Sequence, residues 1–192
     1  MEVSGLMGTI PERKIHATLE PKLPAFARCF ARGAADVEAI AGRMEFYFRV
    51  ALDGSVEWVY PRSSSVGHRA TELCLLDVAR AARFPEPKGG GAAELAWSFE
   101  IDPNVRAPVE WDEAKIAEPL AASGSALMDC GVGQGELEVT LYVAPGGAVL
   151  SAGAAASKQD AAEKIDCALE VVRAWTLPDP GSYPAKLSFR AP

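Results

Sequence analysis

The sequence predicts an α+β fold of two tandem units, each a three-stranded antiparallel sheet with two helices packed on one face. Three observations lead to this prediction. The chain aligns with itself at a shift of 93 residues. Each aligned part contains two runs of alternating apolar and polar residues around a glycine turn. Each part then changes to the apolar spacing of a helix, which stops at a proline.

The internal alignment decides the predicted domain organisation. Residues 42–87 align with residues 135–180 without a gap, and fourteen of the 46 positions are identical. Chance readily aligns alanine and glycine in this alanine-rich chain, but not cysteine, arginine and two prolines in one register. We therefore predict a first domain at residues 12–102, a proline-rich linker at 103–111 and a diverged second domain at 112–192. A three-residue deletion further along also aligns Ser98-Phe99 with Ser188-Phe189.

The first aligned part of each unit reads as a β-hairpin. Alternation of apolar and polar residues predicts strands with one buried face. Asp53-Gly54 supplies the turn in the first unit and Gly146-Gly147 in the second, because such turns need residues that accept positive φ. The alternating apolar positions are Met44, Phe46, Phe48, Val50, Val56, Trp58 and Tyr60 in the first unit, and Leu137, Val139, Leu141 and Val143 in the second.

Helical spacing flanks each hairpin. Residues 23–30 predict a helix before the first hairpin, and residues 120–130 predict a weaker one before the second. After each hairpin a cysteine opens an apolar stripe at i, i+4 and i+7, and we expect both cysteines on the inward side of their helices. Final strands at Glu94–Ile101 and Ala185–Arg190 complete the two units.

Composition excludes several classes of function. The net charge of −7 argues against a nucleic-acid partner and against an anionic membrane surface, since both need a basic face. No apolar run is long enough to span or insert into a membrane, and the start has no signal-peptide pattern. We expect any targeting segment to lie outside this chain. Two distant histidines and no CxxC pair predict no metal site, and nothing predicts a cofactor.

No residue pattern predicts catalysis. The loop Lys88–Gly91 follows a helix and precedes a strand, the reverse of what phosphate binding needs. Ser63–Ser65 and His68 lack a nucleophile motif and are expected in a solvated loop. Glu72 and Asp77 are expected at exposed helix positions. We therefore expect a non-enzymatic protein.

One family resemblance rests on the first unit. Its motif combines Gly42, Phe46, Val50, Asp53-Gly54 and Val56 with the serine-rich stretch and with Arg80 and Arg83-Phe84-Pro85. This pattern resembles the TonB C-terminal domain. Cys29-Phe30 and Cys74 resemble the AgmX/PglI-type branch, which occurs in bacterial gliding-motility envelope proteins.

The resemblance covers Leu19–Asp102 and, more weakly, Trp111–Pro192. The second unit departs from the pattern at Gly146 and at Thr176-Leu177, and it lacks the aromatic residue after Cys130. The resemblance implies a periplasmic part of a longer, membrane-anchored or exported bacterial protein. Its partners would be envelope proteins, namely an inner-membrane motor or outer-membrane components, in motility or energy transduction.

The four cysteines predict one disulfide per unit. Two cysteines per unit on inward helix stripes favour Cys29–Cys74 and Cys130–Cys167 among the three possible connectivities. Each bond closing about 40 residues would contribute roughly 3–4 kcal/mol to a small domain. The alternative is four buried free thiols. Disulfides would imply an oxidising compartment.

The last strand of each unit is the predicted partner-binding site. In TonB-like domains this strand is a sheet edge that receives an extended partner segment, which implies docking by backbone hydrogen bonds. The alternatives are edges that are capped or pair with each other, in a structural scaffold or homo-oligomer. We expect Trp175 in the core, and Trp97 and Trp111 at an inter-domain or partner contact. The predicted edge residues are Glu94, Leu95, Ala96, Trp97, Ser98, Phe99, Lys186, Leu187, Ser188 and Phe189.

Overall fold

The computed structural model describes residues 7–103 and 105–191, and its architecture is α+β. Asn104, in the predicted linker, and Pro192, at the end of the predicted second domain, lie outside the described residues. The helices are α1 (Glu12–Leu19), α2 (Leu23–Gly33), α3 (Arg69–Arg80), α4 (Ala117–Asp129), α5 (Gln159–Ala162) and α6 (Ile165–Arg173). The strands are β1 (Gly42–Val50), β2 (Val56–Ser64), β3 (Ala93–Ile101), β4 (Val109–Glu110), β5 (Leu137–Val143), β6 (Val149–Ala156) and β7 (Ala185–Arg190).

The first sheet is three-stranded and antiparallel, as predicted. Its strand order is β2-β1-β3, so β1 is central. Alternate residues of β1 face α2 and α3 and are fully buried: Met44, Phe46, Phe48 and Val50. The period-two burial follows from the pleat, which sends neighbouring side chains to opposite faces.

The second sheet has four strands instead of the predicted three. Its order is β4-β7-β5-β6, and β4 pairs in parallel with β7. Because β4 consists of Val109 and Glu110, the predicted linker at 103–111 contains a strand of this sheet. Proline-rich composition predicted a linker, but a linker segment that runs in an extended conformation beside a sheet edge is able to pair with it.

The two hairpins close with the same hydrogen bonds. Gly54 donates to Ala51 at 2.9 Å, and Gly147 donates to Ala144 at the same distance. The two glycines have φ of 78° and 86°. A Cβ atom on Gly54 would stand 2.0 Å from the carbonyl oxygen of Phe84, so this close approach requires glycine.

The apolar stripes of the helices differ from the prediction by a rotation. On α3 the buried residues are Leu75, Leu76 and Ala79, whereas Cys74 is half-buried. On α6, Cys167 is exposed. Cys29 is fully buried, and Cys74 and Cys130 are half-buried against the two cores, so the expectation of inward cysteines is wrong for Cys167 alone. The disulfides join neighbouring helices sideways, at the rim of the core.

The register of the last strands corrects one detail of the internal alignment. Trp97 lies opposite Phe46, and Phe189 lies opposite Val139. Phe46 and Val139 share the 93-residue shift, so the alignment of Ser98-Phe99 with Ser188-Phe189 is wrong by two residues. A slip of two residues keeps every side chain on its face, so the hydrophobic pattern does not detect it.

The two sheets pack against each other through β2 and β6. Tyr60 of β2 belongs to the hydrophobic core beneath the second sheet, and Tyr142 of β5 belongs to the core of the first. The Tyr142 hydroxyl accepts from the N–H of Ala41 and donates to its carbonyl, at 3.3 Å each. In the described part of the chain, no helix is long and apolar enough to cross a membrane.

Candidate functional site at the outer edge of β3

The terminal strands of the two sheets differ in what lies beyond them. β2 and β6 lie against each other, and β4 is only two residues long. β3 is nine residues long and pairs with β1 over its whole length. On its outer side, Gly8 forms a parallel bridge with Ala93, and no other described strand pairs there. Within residues 7–103 and 105–191, the outer side of residues 94–101 is therefore an open sheet edge.

The helix-facing side of this edge is aromatic. Trp97 and Phe99 are half-buried, so part of each ring remains accessible. Phe26 of α2 packs on both, with ring centroids 5.4 and 5.3 Å away, and Phe30 lies 6.0 Å from Phe99. α2 thus holds the apolar side chains of β3 in fixed positions beside the open backbone.

The opposite face of β3 is polar and tied to β1. Glu94 accepts a hydrogen bond from the Tyr47 hydroxyl at 3.0 Å and from Arg49 at 2.9 Å. Arg43 donates to Ser98 at 2.9 Å. Burial, and then the bond to Glu94, raises the pKa of Tyr47, so its hydroxyl remains a donor at neutral pH. These cross-strand contacts fix β3 to the sheet without using its outer backbone.

The start of β7 is not a free edge, which corrects part of the prediction. Glu110 pairs with Lys186, and Trp111 donates to the Lys186 carbonyl at 2.9 Å. The chain itself supplies this neighbouring strand. The ammonium group of Lys186 also donates to the Ala41 carbonyl at 2.9 Å, and burial lowers the pKa of Lys186 to about 8.

Of the other predicted β7 residues, two face the interior and Ser188 is exposed. Leu187 and Phe189 are buried, and the Phe189 ring packs on Trp175, which lies in the core as predicted. The Ser188 hydroxyl lies 2.7 Å from that of Thr140. The structure therefore places the two predicted edges in different situations, one open at β3 and one partly covered at β7.

The other two predicted tryptophan contacts are local. Trp97 packs within the first core, against Phe26, Phe46 and Phe99. Trp111 packs on the second core, where the ammonium group of Lys115 lies 5.9 Å from its ring. Trp97 was expected at an inter-domain or a partner contact. Because part of its side chain is exposed, it remains accessible to a partner.

Both predicted disulfide pairs are bonded in the structure. Cys29–Cys74 joins α2 to α3, with Cα atoms 5.8 Å apart. Cys130–Cys167 joins the end of α4 to α6, with Cα atoms 5.7 Å apart. These bonds are compatible with an oxidising, extracytoplasmic location.

A buried polar cluster that the sequence did not predict lies between the two sheets. Glu72 was expected to be exposed but is fully buried, and it accepts from Ser64 at 2.7 Å and from the Ala154 N–H at 3.0 Å. Burial raises the pKa of Glu72. Arg69 pairs with Asp166 through two hydrogen bonds, of 2.7 and 3.2 Å.

The signal for this cluster was the run of small residues in β6. Gly153 has no room for a Cβ atom, which would stand 2.4 Å from Glu72 Oε1. Residues 151–156 are all Ser, Ala or Gly and all buried, so another backbone approaches closely.

The serine and histidine residues form part of the fold. Ser64 is a buried residue of β2, and His68 is the buried residue that caps the N-terminus of α3, so the prediction of a solvated loop is wrong for both. His68 Nδ1 accepts from the Thr71 N–H at 3.3 Å, and burial lowers the pKa of His68. Asp77 is exposed as expected. The described residues hold no group of three or more potential metal ligands.

Comparisons with known proteins give no assignment. No protein-family model, no curated protein and no solved structure matches this chain.

Proposed function

We propose that the chain is a non-enzymatic protein–protein docking module, which captures an extended segment of a partner along the outer edge of β3. The observation that carries the proposal is the difference between the edges. In the described part of the chain, β3 alone offers a long backbone edge flanked by half-exposed aromatic rings. Backbone pairing would supply affinity, and contacts to Trp97 and Phe99 would supply selectivity.

The chain's own segments support this mode of binding. β4 adds in parallel to β7, and Gly8 adds in parallel at Ala93. Both last strands therefore pair in parallel with another segment of the chain at their start. At β7 the partner is β4, whereas at β3 the addition stops after one residue. Residues 94–101 offer space for a segment of about eight residues.

We further propose that the two halves are copies of one TonB C-terminal-like unit. Equivalent bridges join Ser55 to Arg83 and Ala148 to Thr176, a shift of 93 residues for each partner. In each half a disulfide joins the helix before the hairpin to the helix after it: α2 to α3 in the first half, and the end of α4 to α6 in the second. In the second copy, β4 covers the start of β7, and Gly146-Gly147 stands where the first copy has Asp53-Gly54. The second copy would therefore have a structural role.

The resemblance directs the proposal toward a cell envelope. Two disulfides support an oxidising compartment, and we propose the bacterial periplasm. The partner would be an envelope protein of a motility or energy-transduction complex, either an inner-membrane motor or an outer-membrane component. The acidic net charge is consistent with a protein partner that contributes basic residues.

A proline scan of β3 tests the proposal. Displayed random peptides of about ten residues are first selected for binding to the oxidised chain, and each position from Leu95 to Glu100 is then replaced by proline. Neighbouring N–H groups of an edge strand point alternately toward β1 and outward. Proline at outward positions should remove binding and leave the melting temperature within a few degrees, while proline at inward positions should lower it.

Alternate positions in this scan are matched controls for each other. The proposal fails if peptides bind every folded proline variant as tightly as the parent chain. It also fails if no peptide binding maps to β3 at all.

One observation favours a second candidate, a scaffold without strand capture. β4 already covers the start of β7, and the open edge of β3 could pair with β3 of a second copy. Sedimentation analysis over a range of chain concentrations separates the candidates. A scaffold would form dimers that the outward proline variants abolish, whereas a docking module remains monomeric at every concentration of the chain.

A further inference from the structure

The two disulfides have different chemical surroundings. Cys29–Cys74 lines a pocket of about 560 Å³ between α2 and α3. A guanidinium nitrogen of Arg32 contacts Cys74 Sγ and lies 3.8 Å from Cys29 Sγ. Cys29 is buried and Cys74 is half-buried, so a molecule entering the pocket reaches the sulfur of Cys74.

Arg32 is the cationic residue of this pocket that contacts the disulfide sulfurs. The pocket also holds Asp77, which lies 3.1 Å from Arg80, and Asp36, which lies 3.4 Å from the imidazole of His68. Among the described residues, Arg32 forms no ion pair with a carboxylate. Its positive charge therefore acts on the two sulfur atoms.

Cys130–Cys167 provides an internal comparison. Cys167 is exposed and Cys130 is half-buried, so this bond is the more accessible of the two. Its chain neighbours are Asp129 and Asp166, the second of which is paired with Arg69. Within the described part of the chain, no Arg or Lys donates a hydrogen bond to either of these sulfurs.

We propose that Cys29–Cys74 is a thiol-exchange site for a small anionic thiol, with Arg32 as the cation that stabilises the thiolates. The thiolate of the first thiol attacks Cys74 Sγ, the S–S bond breaks, and Cys29 leaves as a thiolate with the electron pair. A second thiol attacks the mixed disulfide, which releases the Cys74 thiolate and the oxidised small disulfide. Two electrons pass from the two thiols to the protein, and the two protons that the thiols release pass through water to the two cysteine thiolates.

The contact with Arg32 favours each of these steps. A neighbouring guanidinium lowers the pKa of a thiol, and a leaving thiol of lower pKa leaves faster. The same charge attracts an anionic thiol to the sulfur that Arg32 contacts, against the repulsion of the Asp36 and Asp77 carboxylates that also line the pocket. Cys130–Cys167 lacks this contact, so its reactivity reflects access alone.

Opening the bond would loosen the apolar side of the β3 edge. Cys29 lies on α2 between Phe26 and Phe30, the residues that hold Trp97 and Phe99. Without the link to α3, this helix is tied only by packing. The effect on partner capture rests on the proposed function, whereas the exchange chemistry does not.

The experiment measures the opening rate of each disulfide separately, by alkylation and mass spectrometry, in low salt. The probes are glutathione, which is anionic, and cysteamine, which carries a cationic amine. Arg32→Gln should slow opening of Cys29–Cys74 by glutathione about threefold or more, because the leaving thiol loses the cation that lowers its pKa. Cys130–Cys167 should keep its rate.

Two matched variants complete the design. Arg28→Gln removes an exposed cation from the same helix and should change neither rate, while Arg32→Lys keeps the charge and should restore most of the parent rate. The parent chain should also prefer glutathione over cysteamine more strongly at Cys29–Cys74 than at Cys130–Cys167. Equal rates in Arg32→Gln and the parent, or equal preferences at the two bonds, would overturn the proposal. No partner enters this test, so its failure is distinct from failure of the docking proposal.

Discussion

Glu72 provides a prediction about what holds the two sheets together. Replacement by alanine removes the acceptor for the Ala154 N–H of β6 and for the Ser64 hydroxyl. A buried donor left unpaired costs about 1–3 kcal/mol, and the serine hydroxyl is able to rotate to another acceptor. We therefore expect Glu72→Ala to lower the free energy of unfolding by about 3 kcal/mol.

Glu72→Gln separates the charge from the hydrogen bonds. The amide oxygen accepts from Ala154, and the amide nitrogen donates to Ser64, so the geometry is retained. Burial raises the pKa of Glu72 in the folded state, which means that the folded chain binds the proton more tightly than the unfolded chain. Its contribution to stability is thus fully present below the unfolded pKa and is lost as pH rises through the folded pKa.

Urea unfolding at intervals between pH 4 and pH 8, with both disulfides intact, measures this effect. As pH rises, the free energy of unfolding of the Gln variant should increase relative to that of the parent chain. The increase should be about 1.4 kcal/mol for each unit by which the folded pKa of Glu72 exceeds the unfolded pKa. Asp77→Asn, on the exposed side of the same helix, is the control and should show no such gain. A difference between the Gln variant and the parent that does not change with pH would refute the reasoning.

Three further substitutions test the packing. Gly54→Ala should lower the free energy of unfolding by about 3 kcal/mol or more in urea titrations, because the new Cβ atom meets the Phe84 carbonyl oxygen at 2.0 Å and φ is positive. A change below about 1 kcal/mol would contradict this expectation. Phe26→Ala should cost about 3–5 kcal/mol and shift the tryptophan emission of the neighbouring edge to the red; unchanged emission would exclude the described packing. Lys186→Met should flatten the rise in stability that the parent shows between about pH 8 and pH 10, because burial of the charged amine penalises the folded state and this penalty is lost as the buried amine becomes neutral. Parallel pH profiles would argue against a buried ammonium.

The sheets and hairpins were predictable because local pattern determines them. The period-two alternation of β1 matches its burial residue by residue, since one face packs on helices. The turn at Gly54 follows from a backbone conformation that favours glycine. Cysteine placement in the internal alignment predicted the observed pairs, because the two helices that carry each pair lie side by side.

The contacts between the sheets were not predictable in the same way. Glu72 looked like an exposed helix residue because a single sequence does not reveal that β6 approaches α3. The β4 pairing has a similar cause, since two residues carry too little pattern to predict a strand. The open edge of β3 was not predictable from its own residues either, because a strand is an open edge only when no other segment covers it.

The most direct measurement of the central claim is amide hydrogen exchange of the chain with and without a saturating selected peptide. If β3 captures the peptide, alternate amides between Leu95 and Glu100 become protected on binding, while the amides of β7 keep their exchange rates. Protection that appears elsewhere, with every amide of β3 unchanged, would contradict strand capture at this edge.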